Sequence, residues 1–291
     1  MNILIVSGSQ RENAKSADVA AYLQSNILNN MEGVNSSILD LSRYPFLLES
    51  VAKGGLGAFD ILFAYPQETL QLNELKHQQS FLKKVKSDFE HSKVDECLNE
   101  AGLPFTGGWF AYFSYDYAQV VEPVLQLPKS EYPLAILSRI PAAVIIKHAT
   151  QELFIVAEPE FSEVLEQMEN DLNQLGNLPI KPSSIASVLA TEEPEEKYLQ
   201  GVQRIKEYIL SGDVFQVNLS RLWEVSLEDE VDALMVYRAL RTHNPAPFAA
   251  LAKFKDCQGS PWHVISSSPE RLVKYQAPWV EALAANRGRV K

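Results

Sequence analysis

The chain has 291 residues and a mass of 32.6 kDa, enough for one large or two ordinary domains with a well-buried core. Its 46% hydrophobic and 22% charged content is ordinary for a globular protein, and a formal charge of −11 argues against a nucleic acid or an anionic membrane as partner. Cys97 and Cys257 form no metal-binding spacing, no apolar run reaches the roughly 20 residues of a membrane helix, and the N-terminus carries no signal-peptide pattern, all of which point to a cytoplasmic protein with reduced thiols.

The first 42 residues read as a β-α-β unit. Asn2–Val6 is a short apolar strand and Ser7–Asn13 a polar turn. Val19, Ala20, Leu23 and Ile27 mark one face of a helix, and Ser37–Leu41 is a second strand. A strand running into Ser7-Gly8-Ser9 at a helix N-terminus presents backbone N–H groups to a phosphate in the flavodoxin-like manner. Ile3-Leu-Ile-Val-Ser-Gly-Ser-Gln-Arg11, with Lys15-Ser16 beyond it, resembles the opening of the NADPH-dependent FMN reductases. That resemblance implies a phosphate loop of Ser7, Gly8, Ser9 and Arg11. It ends near residue 42, no later segment supplies isoalloxazine walls, and FMN is therefore not expected to bind better than about millimolar.

From Arg43 the pattern changes. Residues 67–100 are polar and predict a surface helix and a loose connection. Phe110 and Tyr112 alternate with Trp109, Ala111 and Phe113, predicting a strand covered on both faces. Ala142–Lys147 and Glu152–Ala157 flank His148-Ala-Thr-Gln151 as a hairpin, and Pro179-Ile-Lys-Pro-Ser-Ser184 reads as a linker. Thr191 and the glutamates after it predict a helix N-terminus, Gly212 its end, and Tyr198, Val202, Ile205 and Ile209 a buried stripe between them. A strand with Phe215, Val217, Leu219 and Trp223 on one face follows.

Three blocks carry a second resemblance: Ser211-Gly-Asp-Val-Phe-Gln-Val-Asn-Leu-Ser220, Asn244-Pro-Ala-Pro-Phe-Ala-Ala250 and Ser266-Ser-Ser-Pro-Glu-Arg-Leu272. With Tyr44-Pro-Phe-Leu-Leu-Glu-Ser50 and Leu103–Asp116 they resemble the chorismate-using enzymes, most closely aminodeoxychorismate synthase component I. The resemblance implies an α+β fold of sheet layers flanked by helices. It also implies amination of chorismate on the folate pathway, Mg²⁺ as cofactor, and ammonia delivered by a glutamine amidotransferase subunit. Gln216-Val-Asn218, Ala246-Pro-Phe248 and Pro269-Glu-Arg271 favour this branch over anthranilate synthase component I, which stays as the alternative. A non-catalytic tryptophan-binding fragment and an FMN-dependent reductase are the other readings.

Carried over residue by residue, the resemblance implies a tryptophan-type pocket of Glu49, Ser50, Leu56, Gly57, Ala58, Phe59, Asn244, Pro247, Phe248 and Ala249. A carboxylate and a hydroxyl suit an ammonium group, and a rigid Pro-x-Pro turn beside an aromatic ring suits an indole. Glu270 matches an acid/base residue and is the catalytic candidate. Past Glu281 the pattern breaks: Asn286 falls where some family members carry a nucleophilic lysine, and asparagine cannot act as an amine nucleophile. The expected organisation is therefore a flavodoxin-like leader (1–42), a component I-like N-terminal region (43–178), the start of a chorismate-binding domain (179–281) and a divergent tail (282–291). On this reading the chorismate-using fold is incomplete, the chain is a truncation, frameshift or fusion without its Mg²⁺ ligands, and it is inactive alone. The two lobes of the pocket are not expected to be held in register.

Overall fold

The structure is a computed structural model that describes residues 2–8, 42–52, 57–91, 102–129, 131–175, 187–227, 231–256, 258–276, 279–282 and 288–290. In chain order its strands are β1 (Asn2–Gly8), β2 (Phe46–Glu49), β3 (Phe59–Ala64), β4 (Thr69–Leu72), β5 (Gly108–Phe113), β6 (Ala135–Ile140), β7 (Ala142–Lys147) and β8 (Glu152–Ala157). They continue as β9 (Ser187–Glu192), β10 (Ser220–Leu227), β11 (Phe248–Lys255), β12 (Pro261–Ser268), β13 (Val273–Gln276), β14 (Trp279–Ala282) and β15 (Gly288–Val290). The helices are α1 (Gln78–His91), α2 (Ala118–Val121), α3 (Val164–Leu175), α4 (Glu195–Ser211) and α5 (Ala233–His243). The chain forms two compact units, one of residues 1–36, 180–246 and 267–291, the other of 37–179 and 247–266. Both units are discontinuous, whereas the sequence reading runs its segments consecutively.

The second unit is built on two sheets. A six-stranded sheet has the order β12-β11-β2-β3-β7-β8, and a three-stranded sheet the order β4-β6-β5. The chain passes from β6 in the small sheet to β7 in the large one across Pro141 alone, whose ring has no N–H to leave unpaired at the crossing. Between the sheets lies an apolar core of Phe46, Phe63, Ile136, Ile140, Ala252 and Phe254. Phe46 stacks on Phe110 with ring centres 4.1 Å apart and planes 2° from parallel. The outer face of the small sheet is covered by Phe81 of α1 against Leu72, Leu134 and Leu137. The outer face of the large sheet is covered by Met168 of α3 against Ala142 and Val144. β7 is buried on both faces from Ala142 to Ile145, which is why it reads as an unbroken apolar run.

Two polar clamps close this unit. Arg139 reaches the carbonyls of Gly108 and Ile140 at 3.0 Å and pairs with the buried Glu158 carboxylate. Gly107, at φ +141°, lies so close to Glu158 that any Cβ there would strike the carboxylate. Asp171 of α3 accepts hydrogen bonds from Arg43 and Tyr44, fastening the helix to the chain before β2. Burial pushes the Asp171 carboxyl up, yet hydrogen bonds from Gln167 and Tyr44 and the charge of Arg43 outweigh it and hold it below the usual range. Burial and the Asp171 carboxylate push the Tyr44 hydroxyl well above its ordinary value.

The hairpin of β7 and β8 forms as expected, with Lys147 opposite Glu152. Of the polar stretch 67–100, Gln78–His91 folds as the expected helix α1, Thr69–Leu72 is instead strand β4, and residues 92–100 lie outside the described residues. β5 departs from expectation: Ala111 and Phe113 are exposed, while Phe110 and Tyr112 on the opposite face pack against the core between the sheets.

The first unit contains an antiparallel sheet of order β1-β10-β9. Among its described residues Val225, Leu227, Val231 and Met235 form a buried cluster. Asp232 caps α5, its side chain accepting the Met235 N–H at 2.7 Å. Gly212 ends α4 at φ 85°, and Glu195 and Glu196 occupy the first turn. Thr191 and Glu192 belong to β9, so the helix starts at Glu195, after Pro194. No described residue of α4 is fully buried, in contrast to the expected stripe. The strand expected from Phe215 begins only at Ser220, and Phe215 is 98% exposed. The alternation survives from Arg221 to Leu227, where odd-numbered side chains are the more buried.

β1 runs antiparallel to β10, with Asn2 opposite Ser226 and Gly8 opposite Ser220. The expected helix and second strand of the flavodoxin-like leader, and the linker at 179–184, lie outside the described residues.

Candidate functional site

The site is assembled where β2 ends. Leu47-Leu48-Glu49-Ser50 runs along β2 and off its end, and β11 lies antiparallel beside it, with Ala249 opposite Glu49 and Leu251 opposite Leu47. Pro247 immediately precedes β11, and its carbonyl lies within reach of Ser50. The Ser50 hydroxyl donates to that carbonyl at 2.8 Å. Two blocks 197 residues apart are thereby joined at their functional ends. The expectation that they would fall out of register is overturned, because both are strands of one sheet with defined pairing.

The connection from Ser50 to β3 completes the site. Ser50 is buried, and a Cβ at Gly57 would fall on its hydroxyl and 3.3 Å from the Pro247 carbonyl. Glycine is therefore required here by close approach. Ala58 accepts the His148 backbone N–H at 2.9 Å, and Phe59 opens β3 against Leu103 and Ile145. Phe248 is half-buried and Ala249 buried. Leu56 lies outside the described residues.

Sequence reasoning missed two residues. Asp60 accepts the Ser50 N–H at 2.8 Å through one carboxylate oxygen and meets His148 Nε2 at 2.9 Å through the other. The signal was a lone charge inside the apolar run Phe59-Asp-Ile-Leu-Phe63, together with a histidine in the hairpin turn it pairs with.

Asn244 and Glu270 belong to the first unit. Asn244 follows α5, its N–H bonded to the Leu240 carbonyl at 2.8 Å, and its own carbonyl accepts the Ser267 hydroxyl. Glu270 is exposed in the turn after β12, where its carbonyl accepts the Ser268 hydroxyl at 2.8 Å. Ser7 and Gly8 are in β1 opposite Arg221 and Ser220, while Ser9 and Arg11 lie outside the described residues. Among the described residues no group of three or more His, Cys, Asp or Glu side chains is placed to share a metal ion. No helix among them is long and apolar enough to cross a membrane.

With this geometry in view, similarity to known proteins is informative. Residues 43–284 match the chorismate binding enzyme family, and the chain belongs to it. An anthranilate synthase component I-like protein of Synechocystis is 30% identical over 196 residues, covering 65% of this chain and 38% of that protein. Aminodeoxychorismate synthase component 1 of Bacillus subtilis is 29% identical over 231 residues, covering 75% and 46%. Anthranilate synthase component 1 of Acinetobacter calcoaceticus is 31% identical over 204 residues, covering 64% and 40%. The chain thus spans less than half the length of these relatives. The crystal structure of anthranilate synthase component I from Streptococcus pneumoniae shares the fold, with a TM-score of 0.54 at 19% identity over 94% of this chain and 60% of that one.

Proposed function

We propose that this chain is the amino-acid-binding part of an aminodeoxychorismate synthase component I, and that Glu49, Ser50, Gly57–Phe59 and Pro247–Ala249 hold a tryptophan-type ligand. The observation that carries this reading is the 2.8 Å bond from the Ser50 hydroxyl to the Pro247 carbonyl. These two oxygens can accept from an ammonium group, the Glu49 carboxylate supplies its countercharge, and Phe248 offers an apolar wall. In the whole protein the reaction replaces the 4-hydroxyl of chorismate with an amino group. Glutamine amidotransferase supplies the ammonia, and Glu270 is the proposed acid/base residue.

The choice of branch is supported by Gln216-Val-Asn218, Ala246-Pro-Phe248 and Pro269-Glu-Arg271. Anthranilate synthase is the second reading, favoured by the relatives of that name at similar identity. The 291-residue chain should bind tryptophan but form no product from chorismate, ammonia and Mg²⁺. Binding to the folded state alone should raise stability by about 2.7 kcal/mol at a hundredfold excess over the dissociation constant. Melting curves without a tryptophan shift would overturn the ligand assignment. Product above a no-enzyme control would overturn the binding-only assignment, and its identity as aminodeoxychorismate or anthranilate would decide the branch.

A further inference from the structure

We infer that Asp60 and His148 form a positioning pair that sets both ends of the loop bearing the amino-acid site, and so controls the affinity of that site. The inference rests on the ligand assignment proposed above. Four contacts converge. Asp60 takes the Ser50 N–H at 2.8 Å at one end of the loop, and the His148 backbone N–H holds the Ala58 carbonyl at 2.9 Å at the other. The remaining Asp60 oxygen meets His148 Nε2 at 2.9 Å, so the two anchors are one unit. The Gln151 side chain donates to the His148 carbonyl at 2.7 Å, tying that unit to the turn of the β7–β8 hairpin.

The chain leaves β2 at Ser50 and re-enters the sheet at Phe59, whose neighbour Lys147 directly precedes His148. The hairpin turn thus holds Ser50 and Ala58 through Asp60 and His148. Neither Asp60 nor His148 is needed for the sheet itself: Asp60 is paired through its backbone with Ile146, and the side chains are only partly buried. A carboxylate in the middle of an apolar strand, with both oxygens engaged, costs solvation that packing alone does not require. Its geometry is explained by what it holds. Ser50 can direct its hydroxyl at Pro247 only while its backbone is fixed, because a one-residue slip would turn the side chain to the opposite face.

The test uses the full chain. Tryptophan affinity is measured by titration calorimetry, and the exchange rate of the Ser50 amide by hydrogen exchange, with the Ile145 amide in β7 as internal control. Asp60→Ala should weaken tryptophan binding and speed Ser50 exchange by about tenfold each, the size expected for one lost charge-assisted hydrogen bond. Asp60→Asn, which keeps an oxygen for the Ser50 N–H, should stay within about threefold of the wild type. His148→Ala should weaken binding several-fold, and His148→Gln, which restores a side-chain N–H, should recover most of it. A merely structural role would slow or speed Ile145 along with Ser50 and show no rescue by glutamine, and that pattern overturns the inference. If the wild type does not bind tryptophan, the ligand assignment fails, and Ser50 exchange still decides the pair: unchanged exchange in Asp60→Ala and His148→Ala refutes it.

Discussion

The two units differ in the size of the apolar core that their described residues build. In the second unit the large residues of β2, β3, β6 and β11 meet between two sheets, and helices close both outer faces. In the first, the described residues bury a cluster of Val225, Leu227, Val231 and Met235, and both units leave large apolar side chains on the surface, Leu210 and Phe215 in the first and Tyr115, Val121 and Val124 in the second. The lesson is that the same kind of sequence pattern, an apolar stripe or an alternating run, reports a capacity for burial and not its completion. The candidate amino-acid site lies in the unit with the larger described core, whose paired strands have the fixed register that positioning requires.

Core truncation should separate the units most sharply. Phe46→Ala removes a ring stacked on Phe110 from a fully packed position and should cost about 3–5 kcal/mol by urea denaturation. Phe215→Ala should stay within about 0.5 kcal/mol, since that ring touches solvent almost everywhere. Equal costs would erase the distinction.

A comparable loss is expected at the Arg139–Glu158 clamp. Arg139→Ala strands a buried carboxylate and should cost about 3–5 kcal/mol. Replacing both residues with apolar ones of similar volume should recover much of that loss, and a double-mutant cycle measures it.

The pH dependence of the second unit should carry the mark of Asp171. Its folded pKa is depressed, so its contribution is present above the unfolded value of about 3.9 and is lost as the pH falls through the folded value. Tyr44 is raised, so its contribution is complete below about pH 10 and is lost as the pH rises through its folded value. Urea midpoints between pH 2 and 6 should fall less steeply in Asp171→Asn than in the wild type. The smallest effect belongs to the first unit: Gly212→Ala, at φ 85°, should cost about 1 kcal/mol.

Legibility in the sequence followed the range of the interactions. The end of α4 at Gly212, the turn at His148–Gln151 and the apolar run of β7 are fixed by neighbours in the chain, and they read correctly. The partner of β1, the exposure of Phe215 and the exposed face of β5 depend on which segments meet, and periodicity carries no such information. At the site, Glu49, Ser50 and Pro247 were visible as motifs, but their joining by one hydrogen bond was not. Asp60 and His148 were hidden because each resembles an ordinary polar residue until the hairpin brings it to Ser50.

On the proposed reading, the Leu-Leu-Glu-Ser and Pro-Phe-Ala segments form a single amino-acid site. It is tested most directly by titrating tryptophan into the isotopically labelled full chain while following the backbone amides of Ser50 and Ala249, one from each segment. Both amides should shift along one saturation curve with one dissociation constant, and Ser50→Ala should abolish the shift at Ala249. No movement at either amide, or movement at one alone, would contradict it.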